Sequence, residues 1–162
     1  MMVAISLILV VLIAFIFLIC ISNNITRSLK SVVTFSRFSN TGLPIVSLYN
    51  NNKQFNFIID SGAFNSMLDK KVLDEFEYEK IDYSEQVYGL DGNTVDTEGV
   101  FIKLASPEFL LKDRFLVTDI PALDNILETD GIKVVGVLGS TFLKKNYLVI
   151  DYDALALSMY KK

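Results

Sequence analysis

The residues best suited to chemistry are Asp60, Ser61 and Gly62, which directly follow the apolar stretch FNFII at residues 55–59. An acid, a hydroxyl residue and a glycine are ordinary turn residues, and many surface turns contain them. A surface turn, however, does not need an apolar strand immediately before it. Burying a carboxylate at the end of such a strand is costly unless the carboxylate is paired or protonated. We therefore interpret Asp60 as a candidate catalytic acid.

The chemistry open to Asp60 is restricted by the absence of histidine from the 162 residues. Without histidine there is no Ser-His-Asp triad, no Cys-His pair and no His-ligated zinc site. Two carboxylates about 3 Å apart share a proton, and such a pair can activate water against a peptide carbonyl. This reaction needs neither a cofactor nor a metal, and we expect none. Because the chain has one Asp-Ser-Gly, the second carboxylate has to come from another copy across a two-fold axis.

Residues 1–22 are predicted to form a transmembrane helix. The apolar run over residues 3–21 is long enough to cross a bilayer core of roughly 30 Å. A cleaved signal peptide is the alternative, but no basic residue precedes the run, and the run is long for such a peptide. Arg27, Lys30 and Arg37 follow it, so the positive-inside rule places the rest of a single-pass protein in the cytoplasm.

The remaining chain divides into a basic, serine-rich juxtamembrane linker over residues 23–42 and a folded domain over residues 43–162. All 19 acidic residues lie at or after Asp60. This acidic balance argues against a nucleic-acid partner, since nucleic-acid binding requires a basic face.

Strand patterns dominate the folded domain. The apolar spacing over residues 65–76 predicts one helix, and residues 121–127 and 140–144 predict short helical segments. The predicted strands lie at 44–49, 54–60, 86–92, 94–104, 108–118, 133–139, 146–151 and 154–160. Many short strands connected mainly by hairpins indicate a small, mostly β, barrel-like fold.

Three segments, in this order, resemble the retropepsin-like aspartic proteases, in particular the small bacterial and retroviral-type single-domain members. IIDSGAFNSML (58–68) is similar to the catalytic Asp-Thr/Ser-Gly-Ala loop. VYGLDGNT (87–94) is similar to the flap hairpin that closes over the substrate, and VVGVLGSTFLKKNYLVIDY (134–152) to the second half of the domain. The resemblance covers residues 43–160 and implies a closed barrel with one or two short helices.

The resemblance implies a role for each residue of the catalytic loop. Asp60 would be the catalytic carboxylate. Ser61, in the position usually held by threonine, would hydrogen-bond across the dimer beneath the two carboxylates. Gly62 would permit the tight turn, and Ala63 would continue the loop beside the substrate backbone. Gly139 would pack beneath the loop as a structural glycine.

The flap is assigned by the same resemblance. Gly89 and Gly92 would give the hairpin its freedom to move, and Tyr88 would lie over the substrate. Ser140 and Thr141, which follow the structural glycine, are interpreted from their types as a helix N-cap.

The sequence therefore favours a membrane-anchored aspartic endopeptidase that acts as a homodimer on a polypeptide substrate. The alternative is a catalytically inactive retropepsin-like domain that serves as a membrane-tethered dimerisation or peptide-binding module. A third interpretation is a single-pass membrane protein with a generic β domain. Asp60 distinguishes them, because a module that only binds does not need a paired acid.

Overall fold

The computed structural model describes residues 29–34, 37–38, 42–88, 94–107 and 109–160. This part of the chain contains eleven strands, two α-helices and one 3₁₀ helix. The strands are β1 (Leu29–Thr34), β2 (Arg37–Phe38), β3 (Pro44–Asn50), β4 (Lys53–Ile59), β5 (Met67–Asp69), β6 (Tyr78–Tyr88), β7 (Thr94–Ala105), β8 (Leu110–Thr118), β9 (Val134–Leu138), β10 (Leu148–Asp151) and β11 (Ala156–Tyr160). The helices are the 3₁₀ helix (Lys70–Glu75), α1 (Ala122–Asp130) and α2 (Ser140–Lys145).

Six of these strands close a barrel. Their hydrogen-bonded order is β3-β4-β9-β5-β8-β7, and the pairing of Tyr49 with Ala105 joins β3 back to β7. β6 pairs with β7 to form a long hairpin, and β1, β11 and β10 form a separate three-stranded sheet. The mostly β, barrel-like architecture predicted from the sequence is confirmed.

Phenylalanine side chains fill much of the barrel interior. The ring of Phe115 lies 6.1 Å from that of Phe57 and 6.1 Å from that of Phe142, measured between centroids. Phe142 belongs to α2, so its burial fixes this short helix against the barrel. A fully buried side chain of this size contributes roughly 1.5–3 kcal/mol to stability. The packing of Phe142 therefore anchors α2 against the barrel.

β9 lies between two strands that are consecutive in the chain. It runs parallel to β4, where Ile59 pairs with Leu138, and antiparallel to β5, where Met67 pairs with Val137. All five of its residues are buried, as a strand covered on both faces requires. The loop that joins β4 to β5, residues 60–66, must consequently cross the end of β9.

The helix predicted over residues 65–76 is wrong for its first half, and only residues 70–75 are helical, as the 3₁₀ helix. This segment forms β5 and then the 3₁₀ helix, because residues 67–69 pair with β8 on one side and β9 on the other. The apolar residues that suggested a helix enter the core from both elements. Asp69 caps the 3₁₀ helix by accepting a hydrogen bond from the backbone N–H of Lys71.

The stretch predicted as a linker, residues 23–42, contains β1 and β2. β1 pairs antiparallel with β11, with Val32 opposite Ser158, and β2 pairs with β3. The polar, serine-rich composition concealed this strand, since pairing with a distant partner rather than local propensity creates it. Paired structure therefore begins before the predicted domain start at Leu43.

The predicted transmembrane segment, residues 1–22, lies outside the described residues. Among the residues that are described, no helix has both the length and the apolar character needed to cross a membrane.

Candidate active site

Asp60 is the first residue after β4. Its backbone N–H donates to the carbonyl of Leu138 at 3.1 Å, and its Oδ1 accepts the N–H of Gly62 at 2.9 Å. Burial ends at Ile59, which is 1% exposed, whereas Asp60 is partly exposed and Ser61 is exposed. The apolar strand thus does not bury this carboxylate within a single protomer, contrary to the expectation from the sequence.

The loop that carries Asp60 is held from below by the start of α2. The carbonyl of Ala63 accepts the N–H and the hydroxyl of Ser140 at 2.7 and 2.9 Å. The carbonyl of Phe64 accepts the N–H and the hydroxyl of Thr141 at 3.2 and 2.7 Å. The interpretation of Ser140 and Thr141 as an N-cap is wrong, because Gly139 occupies that position and both hydroxyls bind the loop instead.

Gly139 lies directly against the loop. A Cβ atom at this position would stand 2.5 Å from the carbonyl oxygen of Asn65 and 2.9 Å from that of Ala63. The N–H of Gly139 donates to Oγ of Ser66, a side chain that is 2% exposed. The sequence interpretation missed Ser66, although a small hydroxyl residue at the end of the loop is the signal that could have found it.

The two strands of the predicted flap hairpin are present as β6 and β7, with Tyr88 opposite Thr94. Tyr88 is the last residue of β6 and is 75% exposed. Gly89 and Gly92 lie outside the described residues. The described part of the chain therefore contains the base of this hairpin and one of its three predicted flap residues.

A polar network joins the base of the hairpin to the loop that carries Asp60, and we call Asn65, Tyr83, Glu85 and Arg114 the flap-root network. Glu85 Oε2 accepts the hydroxyl of Tyr83 at 2.7 Å and the amide of Asn65 at 3.5 Å. The guanidinium of Arg114 lies 3.9 Å from the ring centroid of Tyr83. The hydrogen bond to the Glu85 carboxylate raises the pKa of the Tyr83 hydroxyl. No local pattern in the sequence predicts these contacts, because they join the Asp60 loop, β6 and β8.

Candidate metal ligands are not clustered in the described residues. No group of three or more Cys, Asp or Glu side chains there could hold a metal ion. The sequence contains no histidine that could supplement such a group.

The barrel, the Asp-Ser-Gly loop at the end of β4 and the glycine-containing turn beneath it define the architecture of an aspartyl protease. The family model described as aspartyl protease matches residues 46–142, which is more than half of the chain. The chain belongs to this family. A comparison with curated protein sequences gave no match.

Solved structures of two proteases and of one protease-like domain are similar to this chain. The protease of EIAV in complex with an inhibitor is 23% identical with a TM-score of 0.50, and the match covers 67% of this chain and 92% of that one. This likeness shows that the fold is retropepsin-like. A retropepsin-like aspartic protease from Rickettsia conorii is 15% identical, with a TM-score of 0.47 and coverage of 80% and 89%. The retroviral protease-like domain of Ddi1 from Leishmania major is 13% identical, with a TM-score of 0.49 and coverage of 73% and 93%.

Proposed function

We propose that the chain is an aspartic endopeptidase that acts as a homodimer, with one Asp60 from each copy forming the catalytic pair. The observation that carries this proposal is the placement of Asp60. Its loop is fixed on the protein side by β9 and α2, while its carboxylate is left partly open to solvent. A carboxylate presented in this way on one protomer can meet its counterpart on a second.

The reaction follows from two carboxylates that share one proton. The ionised carboxylate takes a proton from a bound water molecule while the water oxygen attacks the peptide carbonyl carbon. The protonated carboxylic acid gives its proton to the carbonyl oxygen, so a neutral tetrahedral diol forms. The C–N bond then breaks as one carboxylic acid gives its proton to the nitrogen and the other carboxylate takes a proton from a diol hydroxyl. A carboxylic acid and an amine leave, and the pair again shares one proton. The N–H of Gly62 holds Asp60 Oδ1 in place throughout.

The remaining parts of the site have supporting roles in this proposal. Ser61, which is exposed in one protomer, would hydrogen-bond across the dimer beneath the two carboxylates. A polypeptide would lie extended between the catalytic loop and the flap strands, with main-chain hydrogen bonds of the strand-addition type. Tyr88 at the end of β6, together with Gly89 and Gly92, would cover the substrate.

A membrane anchor over residues 3–21 would tether the enzyme on the cytoplasmic side of a bilayer. Confinement of both copies to one surface raises their effective concentration and favours pairing. Neither a cofactor, a metal nor a nucleic acid takes part in the proposed reaction.

The test is cleavage of a diverse peptide library by the full chain, purified in detergent, at acidic to neutral pH. Mass spectrometry identifies the products of the wild type, of Asp60→Asn and of the control Asp74→Asn. Asn keeps the shape and the acceptor oxygen of Asp60 but cannot share a proton. We expect wild type and Asp74→Asn to cleave and Asp60→Asn to be inactive. Cleavage by a folded Asp60→Asn chain, or none by a folded, dimeric wild type, would overturn the proposal; the second result favours the inactive binding module.

A further inference from the structure

We propose that Glu85 determines substrate selectivity, and that its carboxylate binds a lysine or arginine side chain of the polypeptide. This inference rests on the proposed function, since it places the substrate between the catalytic loop and the flap strands.

Glu85 lies at the place where the flap strands face the catalytic loop. The side chains of β6 alternate, with Tyr83, Glu85 and Val87 partly buried and the residues between them exposed. The Asn65 amide reaches Glu85 Oε2 from the loop that carries Asp60. A peptide bound along the loop of Asp60 beneath the hairpin would meet this carboxylate, and a cation of the peptide would displace the long Asn65 contact.

The backbone and the side chain of Glu85 are both held in place. The hydroxyl of Thr97 donates to the carbonyl of Glu85 at 2.7 Å, and Thr97 is 2% exposed. The hydroxyl of Tyr83 binds Oε2 at 2.7 Å. Gly99 leaves room for this tyrosine, because a Cβ there would stand 3.0 Å from Tyr83 Cδ1. Arg114 packs on the ring. A carboxylate fixed in this way loses little freedom when it binds a ligand.

The charge of Glu85 is available to a substrate cation. Within the described ranges, both hydrogen bonds to its carboxylate reach Oε2, and none of the ion pairs includes Glu85. The Asn65 contact, at 3.5 Å, lies beyond the usual length of an N–H···O bond and is easily replaced. A lysine or arginine would form a shorter, charge-assisted bond.

Arg114 limits the size of this preference. Its guanidinium binds the ring of Tyr83, which in turn contacts Glu85, so its positive charge opposes a second cation nearby. A hydrogen bond between charged partners changes affinity by about 10- to 100-fold. We expect a preference for lysine over glutamine of roughly tenfold, at the lower end of that range.

The test uses one extended peptide in which lysine or glutamine is placed at each position in turn. For the full chain, kcat/KM is measured for every Lys/Gln pair with wild type, Glu85→Gln and the control Asp82→Asn, an exposed acid on the same strand. We expect one position with roughly tenfold preference for lysine in wild type and Asp82→Asn, and no preference in Glu85→Gln. Glu85→Lys should instead favour glutamate over glutamine at that position.

Binding of the same peptides to Asp60→Asn chains, with and without Glu85→Gln, separates this inference from the proposed function. A lysine preference in binding that depends on Glu85 supports the inference even if no chain cleaves. Cleavage with a lysine preference that survives Glu85→Gln overturns the inference and leaves the endopeptidase intact. Cleavage by wild type without any lysine preference also overturns the inference and leaves the endopeptidase intact. If no peptide binds and none is cleaved, both the inference about Glu85 and the proposed endopeptidase function are overturned.

Discussion

The loop that carries Asp60 and the flap-root network are held by different kinds of contact. The loop is fixed largely through its main chain, with carbonyls bound by Ser140 and Thr141 and with Gly139 pressed against it. The flap-root network is built from side chains, in which Tyr83 joins Glu85 to Arg114. Main-chain contacts leave little room for substitution, whereas side-chain contacts can change while the fold persists. Main-chain contacts therefore suit the proposed catalytic step, which needs a fixed geometry. Side-chain contacts suit the proposed substrate selectivity, which can vary.

The carboxylates show the same contrast. Asp69 and Asp113 are buried, and each has a partner that explains its burial: the N–H of Lys71 for Asp69, and Nζ of Lys145 at 2.6 Å for Asp113. Asp60 is partly exposed and accepts one hydrogen bond from its own loop. The two buried acids are thus bound within the fold, whereas Asp60, the proposed catalytic acid, remains accessible.

The largest effect is expected from Gly139→Ala, which tests whether the loop is held as tightly as the main-chain contacts indicate. The new methyl group would meet the carbonyl oxygens of Asn65 and Ala63, so the loop must move. We expect peptide cleavage to fall at least about 100-fold, because small displacements of a reacting group are costly. Urea unfolding should show a loss of about 1–3 kcal/mol.

The control for this substitution is Ser140→Ala, which removes the hydroxyl donor to Ala63 but keeps the backbone donor. Its cost should not exceed about 1 kcal/mol. A fully active Gly139→Ala chain would show that the loop is less constrained than its contacts suggest.

A smaller effect, limited to selectivity, is expected from Tyr83→Phe. The substitution keeps the ring under Arg114 but removes the donor to Glu85. We expect the lysine preference to decrease by a few fold, with little change in the free energy of unfolding. Peptide kinetics and urea unfolding measure the two quantities, and Tyr78→Phe on the same strand is the control. If selectivity were unchanged and stability fell strongly, Tyr83 would be a structural residue and not a residue that positions Glu85 for selectivity.

The pH dependence of the same contact has a defined sign. The pKa of Tyr83 is raised by its hydrogen bond to Glu85, so the bond is intact below the ordinary tyrosine pKa. It is lost as pH rises through the raised value. The lysine preference should consequently persist through neutral pH.

The smallest effect is expected from Glu75→Gln, in a surface cluster remote from both regions. Ion pairs with Lys53 and Lys133 lower the pKa of Glu75. The stabilisation is therefore present above the ordinary glutamate pKa and is lost as pH falls through the lowered value. We expect Glu75→Gln to cost about 0.5–1 kcal/mol at pH 7 in urea unfolding and to match wild type in strong acid. Asp74→Asn is the control. If Glu75→Gln lost the same unfolding free energy at pH 7 and in strong acid, the stabilisation would not come from the ion pairs of Glu75.

Local patterns in the sequence predicted the parts of the fold that depend on local order. The hairpin of β3 and β4 turns through Asn51 and Asn52, whose positive φ angles of 43° and 62° suit asparagine. The fully apolar sequence of β9 likewise predicted a buried strand. These elements are determined by residues close in sequence, so their patterns were sufficient.

Elements created by distant pairing could not be predicted in this way. β5 has three residues, and its conformation is set by β8 and β9 rather than by its own apolar spacing, which suggested a helix. β1 depends on β11 at the other end of the domain. The contact of Asn65 with Glu85 likewise requires the barrel to be closed. The motif located the loop that holds Asp60 and the glycine beneath it, Gly139, whereas the contacts of Ser66 and Glu85 with that region came from the fold.

The most direct test of the central claim, that two copies of Asp60 form one site, is a mixing experiment. Wild type and Asp60→Asn are combined at a constant total concentration, allowed to exchange subunits, and assayed for peptide cleavage. If both carboxylates are required, activity falls as the square of the wild-type fraction, to about one quarter at equal amounts. A linear decrease, to about one half at equal amounts, would mean that each chain acts alone and would contradict the account.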